Sequence, residues 1–553
     1  MTRAVIRILR GGALAVSCCA LQCAALYDPA KEYVESARVA ARYPDPDIAF
    51  STPAFQPGKA DFTSQQELMR FVNDLARGSA EMQVRVIGRS QEDRELPLLI
   101  FARASGRASG DLQSNGKPTV LIIGQQHGNE PAGGEAALAL AAELAGGSQS
   151  RILDRVNVLI VPRGNPDGAH HFVRSLKNSA DVNRDHLLES TPEGRALGRV
   201  FVEYRPDVVL DCHEFGVKLR WFEKFQALQS YDALIQYATV SNLPVAITDA
   251  SERMFRQPML QALDGASLRT SWYYTTAYDV NDRKVSMGGV VPDTGRNIAG
   301  LRNAISFLIE TRGVGIGRAH FKRRVFTHLV AMRSVLDSTA RDGDALLALG
   351  RRVRQEVAGA AGTGDVVVWG VATPGKHVLD MIDPETGADK KVEVEWRSAL
   401  DIEVKQKRSR PYAYVLASSE VAAAERLRRL GISVLRLSES MNVDAERYRV
   451  TAVAETKKDD VRRNDEEGTT DILRIDTETE AARISLRTGD FYVPLDQPLA
   501  NVIVAALEPE PQSSYASNRL IAVPRESGGR GYLPMYRLPS RLRAAMTVWD
   551  GPL

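Results

Sequence analysis

The sequence predicts an α/β fold: a mixed, mostly parallel sheet flanked by helices, followed by a β-rich C-terminal domain. Apolar, β-branched runs at 120–123, 156–161, 208–210 and 304–309 read as buried strands, with helical patterns between them. Strands that alternate with helices form parallel sheets covered on both faces. At Ala360-Ala361-Gly362-Thr363-Gly364 the composition shifts, and the remainder is β-rich with one clear helix, 420–430.

A chain of 553 residues is too long for one ordinary core, and 44% hydrophobic with 25% charged residues is the composition of a soluble globular protein. A formal net charge of +2 provides no global field for nucleic acid or an anionic membrane, so nucleic-acid partners are not expected. Arg3, Arg7 and Arg10 precede an uncharged run over 11–26, which predicts a signal peptide at 1–25 and not a membrane span. The mature chain then starts between Leu21 and Tyr27 and is exported, periplasmic or secreted. Ala15-Val16-Ser17-Cys18 loosely resembles a lipoprotein cleavage box, which gives a lipid-anchored alternative. Cys18, Cys19 and Cys23 leave with the leader, and Cys212, inside an apolar strand, reads as a buried inert thiol.

Taken in order, 26–57 is an irregular, Pro- and Tyr-containing extension of wrapping character. A helix over 62–75 starts at the cap Thr63-Ser64-Gln65-Gln66, and strands 82–87 and 96–102 flank a turn at 88–93. The strand 120–123 runs into a Gly-rich turn and a helix over 135–144. The strand 156–161 runs into the loop Asn165-Pro166-Asp167-Gly168. His213 is placed just past the end of the strand 208–210, and the strand 304–310 ends on Glu310, where a buried acid needs a reason. Residues 319–360 read as a helical connector of two helices, 361–553 as the C-terminal domain, and 457–467 as a solvated, mixed-charge loop.

His127 and Glu130 sit in the loop at the carboxyl end of a strand, where open α/β sheets bind ligands. Imidazole nitrogen and carboxylate oxygen are zinc ligands, and a catalytic zinc takes three protein ligands while leaving a position for water. The stretch supplies two of the three. A second His-x-x-Glu pair, His186 and Glu189, has no strand leading into it, and His170 and His171 lack an acidic partner at ligand spacing. All three histidines read as loop or supporting residues.

Five stretches occur in a set order: His127-Gly128-Asn129-Glu130, Asn165-Pro166-Asp167-Gly168, Asp181-Val182-Asn183-Arg184-Asp185, Asp211-Cys212-His213-Glu214 and Ser306-Phe307-Leu308-Ile309-Glu310-Thr311-Arg312. In them residues 58–318 resemble the zinc carboxypeptidases of the carboxypeptidase A/B-like family. The resemblance implies one Zn2+ held by His127, Glu130 and His213, with Glu310 as general base and acid. It implies Arg174 at the polarised carbonyl, Asn183 and Arg184 on the substrate's free C-terminal carboxylate, and Arg296 near the side-chain pocket, where it favours an acidic side chain if it points inward and is otherwise an exposed, salt-bridged arginine. The implied partner is a peptide with a free C-terminus, a cell-wall peptide among the candidates. Asn129 departs from the digestive members' arginine, and Tyr273, Tyr274 and Tyr278 are the candidates for their mobile tyrosine. Two other readings stand beside it. One is a zinc amidohydrolase acting on N-acyl amino acids or cell-wall peptides. The other is a wall-binding protein on a degenerate peptidase fold, against which the complete set of ligands and Glu310 argues.

Overall fold

Continuous burial along four strands sets the architecture, because a strand with no polar face must be covered on both sides. We label the strands β1 (Met82–Arg89), β2 (Glu95–Phe101), β3 (Thr119–Gly124), β4 (Asn157–Val161), β5 (Val208–Gly216), β6 (Ala233–Tyr237), β7 (Thr270–Trp272) and β8 (Ile305–Val314). They form an eight-stranded sheet in the order β1-β2-β4-β3-β5-β8-β6-β7. The central strands β4, β3, β5 and β8 run parallel; β2 and β1 continue antiparallel on one side, and on the other β6 runs antiparallel to β8 with β7 parallel to β6. The computed structural model describes residues 27–103, 106–277, 279–458, 471–524 and 531–551. The signal-peptide and lipid-anchor readings, Tyr278 and most of the 457–467 segment fall outside these residues. No helix among the described residues is long and apolar enough to cross a membrane.

The period-two alternation of strand side chains divides the core into two layers. Val120, Ile122, Val208 and Leu210 face helices α1 (Gln65–Gly78), α2 (Pro131–Leu144) and the long helix Phe321–Arg341. Leu121, Ile123, Leu159 and Val209 face the helices Pro192–Tyr204 and Gly295–Leu301. Helix α1 starts at a capping box, with Ser64 accepting from the Glu67 N–H and Glu67 accepting from the Ser64 N–H.

Beyond the Gly343–Gly359 helix, β9 (Asp365–Ile382) and β10 (Asp389–Ser409) form a long antiparallel hairpin. The hairpin joins the first part of the chain through strand pairs: Lys284–Ser286 runs parallel to Glu395, Trp396 and Arg397, and Leu228–Gln229 pairs with β9. A seven-stranded antiparallel sheet follows, whose edge is β11 (Met441–Lys457) against β12 (Asp471–Leu486). Some of its apolar residues, Tyr414, Tyr448, Leu473 and Ile475 among them, belong to the same hydrophobic cluster as Val120 and Leu210, while Val415, Leu437 and Ile484 belong to a separate one. The expectation of one helix in this region is corrected. Val421–Arg429 is joined by Ala500–Leu507, whose residues are nearly all buried. A helix apolar all round has no polar stripe for sequence periodicity to reveal.

The segment from Tyr27 to Phe55 wraps the back of the sheet. The Tyr33 N–H donates to Gly315 O, Tyr43 Oη to Ser230 O, and Ser36 Oγ to Pro384 O at the turn of the β9/β10 hairpin. The Glu35 side chain, 2% exposed, accepts from Arg312 and His320. Burial pushes the Glu35 carboxyl up, but the hydrogen bond from His320 and the charge of Arg312 outweigh it and bring the group to about 2 from its ordinary 4.5. A depressed carboxylate stabilises the fold above its unfolded pKa, and that contribution is lost as pH falls towards the folded value. Glu35→Gln is therefore expected to lower stability by about 2 to 3 kcal/mol near neutrality. The gap between variant and wild type in denaturant titrations should narrow as pH falls from about 4.5 to about 2, and a gap independent of pH would contradict the pairing.

Candidate metal centre and active site

The centre forms where β3 stops and β5 does not. Their ladder ends at the pair Gly124 and Cys212, while β5 continues against β8 with Glu310 opposite His213 and Val314 opposite Gly216. His213 and Glu310 therefore lie within strands and not at their ends, which corrects the expectation for both. The two strands satisfy each other's backbone groups past the point where β3 leaves, so neither has to terminate. The chain from Gln125 to Glu130 fills the space beside β5. Gly128 has no alternative there, since a Cβ would fall 1.9 Å from the Gly168 carbonyl carbon. Helix α2 begins with Pro131, and Glu130 is its N-cap residue without a side-chain capping bond, so the carboxylate is turned to the site.

His127 Nδ1 lies 2.9 Å from Glu130 Oε1 and 2.9 Å from His213 Nδ1, and His213 Nδ1 lies 2.9 Å from Glu130 Oε2. All three side chains are buried. Each imidazole is backed by a carboxylate: His127 Nε2 is 3.1 Å from Asp181 Oδ1, and His213 Nε2 is 2.7 Å from Asp211 Oδ1. These contacts fix the tautomers, with Nε2–H donating outward and the Nδ1 lone pairs converging. Burial opposes charge on His213, but Asp211 and Glu130 still push it up to about 10, so the centre favours positive charge. Burial raises Glu130 as well, and His127 and His213 nevertheless hold it well below the ordinary carboxylate range. Ligand atoms around a tetrahedral zinc stand about 3.3 Å apart, given bonds of about 2.0 to 2.1 Å. Two imidazole nitrogens and a carboxylate oxygen at this spacing fit that ion. No other cluster of this kind occurs among the described residues.

His127, Arg174, Asn183, Arg184, Arg296 and Glu310 line one cavity of about 800 Å3. Arg174 donates to His127 Nδ1 at 3.0 Å, to Glu130 Oε1 at 3.3 Å and to Asp181 Oδ2 at 2.6 Å. Asn183 Oδ1 accepts from the Gly295 N–H at 2.7 Å, its Nδ2 lies 3.1 Å from His213 Nε2, and Arg184 donates to Asn183 O at 2.8 Å. Arg296 is not an exposed, salt-bridged arginine. It is 4% exposed, donates to Gly289 O at 3.0 Å, has no hydrogen-bond partner at Nε and pairs with no carboxylate among the described residues. Burial lowers it to about 10. Tyr273 lines the cavity, whereas Tyr274 is packed edge-on against Trp221.

The remaining histidines and Glu214 do not join the centre. His171 pairs with Glu92, His170 packs on His171, and His186 Nε2 bonds Gln126 Oε1. Glu214 accepts from the Ala132 N–H and from Arg324, away from the cavity. Sequence reasoning assigned no role to the backing carboxylates, although one signal was available: Asp211 and His213 are two apart in a strand and share a face. The far wall of the cavity comes from the C-terminal half, including Val367, Trp369, Lys458 and Ile475. No local pattern announces that wall.

Residues 68–312 match the zinc carboxypeptidase family. Carboxypeptidase 2 of Trichophyton rubrum is 29% identical over 502 residues, covering 89% of this chain and 90% of that protein. Carboxypeptidase 2 of Trichophyton equinum is 28% identical over 528 residues, covering 93% and 95%. Both matches extend well past residue 312, so the C-terminal half is shared with these proteins. A solved metallo-carboxypeptidase from Burkholderia cenocepacia covers 50% of this chain and 70% of its own, at 19% identity and a TM-score of 0.38.

Purified protein is expected to hold about one zinc, and His213→Ala to hold none. Asp211→Asn should weaken zinc by about 10- to 100-fold through loss of the ligand's carboxylate backing. Metal analysis with a competing chelator reads all three. Wild-type protein that takes up no zinc, or an Asp211→Asn affinity equal to wild type, would contradict the assignment.

Proposed function

We propose that this chain, whose residues 68–312 match the zinc carboxypeptidase family, is an exported metallocarboxypeptidase that removes the C-terminal residue of a peptide. The observation that carries the reading is the single cavity onto which His127, Glu310, Arg174, Arg184 and Arg296 converge. His127, Glu130 and His213 would hold the zinc, which supplies polarisation of the scissile carbonyl and a water acidified towards neutrality. Glu310, on the strand directly beside His213, would take a proton from the attacking water as the water oxygen bonds to the carbonyl carbon. Glu310 then returns the proton to the amine nitrogen as the C–N bond breaks, so acid and amine leave with atoms and charge balanced. Arg174 donates to the carbonyl oxygen as negative charge develops on it. Asn183 Nδ2 and the Arg184 fork take the terminal carboxylate, a planar match that a lysine could not supply.

Arg296 lies buried on the same wall, within Coulomb range of Arg184, and forms no ion pair with a carboxylate among the described residues. An acidic C-terminal side chain, of aspartate or glutamate class, would supply the missing charge. The size of the cavity supports a peptide over a small N-acyl amino acid, because the wall contributed by β9, β11 and β12 extends beyond the catalytic residues. Export rests on Arg3, Arg7, Arg10 and the uncharged run after them. Mature protein is expected to start between Leu21 and Tyr27, and an active protein that retains Met1 would remove this part of the reading.

One kinetic set tests the chemistry. Glu310→Gln should keep its zinc and lose about 10²- to 10⁴-fold in kcat. Wild type should cleave a C-terminally amidated peptide far more slowly than the free acid. Arg184→Ala should erase most of that difference with a loss of about 30-fold or more on the free acid. Full activity in Glu310→Gln would move the base elsewhere, and equal cleavage of free and amidated peptides would remove the carboxylate clamp.

A further inference from the structure

An ion pair among the residues of the cavity wall joins the two halves of the chain. Lys458, the residue after β11, places Nζ against Asp293 Oδ2 across 165 positions of sequence. Asp293 is fully buried, the Lys458 side chain is 11% exposed, and both line the cavity that holds Arg184, Arg296 and Glu310. Asp293 Oδ1 is buried with no hydrogen-bond partner among the described residues. The carboxylate stands two residues before Gly295, whose N–H fixes Asn183, so its charge acts on the part of the cavity that would receive the terminal residue.

Two opposite charges compete for control of that pocket. Arg296 is buried without a carboxylate and favours an anionic side chain. Asp293, if uncovered, would favour a cationic one, and burial makes either charge count for more than it would in water. Lys458 cancels the carboxylate. The geometry points to Lys458 as a specificity-determining residue, supplied by the C-terminal half, that neutralises Asp293 and so leaves the pocket selective for acidic and against basic C-terminal residues. This deepens the proposed reading and rests on it for the identity of the substrate. It also gives the C-terminal half a role in selection: it contributes the charge that decides which side chain is rejected.

The test uses the full-length zinc-loaded enzyme and two peptides of equal length that differ only in a C-terminal Glu or Lys, and it reads the ratio of their kcat/KM values. Lys458→Met is expected to lower the Glu-to-Lys ratio by about tenfold or more, since a buried carboxylate is exposed to substrate. Lys458→Arg should keep the wild-type ratio. Asp293→Asn should raise the ratio, and adding Asp293→Asn to Lys458→Met should bring it back towards wild type, a coupling that a merely structural role would not produce. An unchanged ratio in Lys458→Met, or an equal fall in Lys458→Arg, overturns the inference. If Lys458→Met does not fold, Asp293→Asn decides alone, and a ratio that stays at wild type overturns it. The acidic reading fails separately, when wild type does not favour Glu and Arg296→Gln changes nothing. A shift towards Lys in Lys458→Met relative to wild type still supports the role of Lys458 in that case.

Discussion

Three ligand atoms crowded together in a buried place are the constraint on which the rest of this structure depends. Two imidazole lone pairs and a carboxylate oxygen at contact distance repel one another. Asp211 and Glu130 raise His213 and both histidines lower Glu130, so the arrangement favours positive charge at its centre. Everything near it serves that condition. Asp181 and Asp211 orient the rings from behind, Arg174 braces Asp181, and Gln126 links His186 to Asp211. Helix α2 leaves the Glu130 carboxylate uncommitted to capping, and the β5/β8 ladder carries Glu310 to the same level as His213.

The active-site cavity is a joint product of the two halves. The parallel pairing of Lys284–Ser286 with β10 holds one wall, and Leu379, Met381, Val392 and Val394 of the hairpin pack with Phe215, Tyr273, Val285 and Leu308 beneath it. Because Tyr273 and Leu308 belong both to that packing and to the cavity lining, repacking the hairpin would displace the surface that meets substrate. Well-packed interiors transmit such shifts because they have few voids to absorb them.

Local signals made much of the fold legible. The Ser64 cap, the buried runs of β3, β4 and β5, and the loop carrying His127 and Glu130 each depend on neighbours in sequence, where propensity and periodicity act. His213 and Glu310 were placed at strand ends because the polar residues after Leu210 and Ile309 look like terminators. Only the pairing of β5 with β8, nearly a hundred residues apart, shows that both strands continue. The Ala500–Leu507 helix was hidden by complete burial. The Asp293 and Lys458 pair was hidden by distance, since one lysine in a charged stretch looks like any other until a β-sheet edge carries it into a cavity.

The wrapping segment imposes an order of events on the molecule. Ser36 finds its acceptor, Pro384, across a separation of 348 residues. Synthesis at roughly 5 to 20 residues per second would leave Ser36 waiting roughly 20 to 70 s for that partner to be made. Arg42, bound to Gly387 and Asp389, waits as long. Contacts of such long range form late because the loop they close must be ordered first. The earliest-made part of the described chain is thus among the last to finish docking, and a factor that engages it before Pro384 is made meets a segment whose partners are still incomplete.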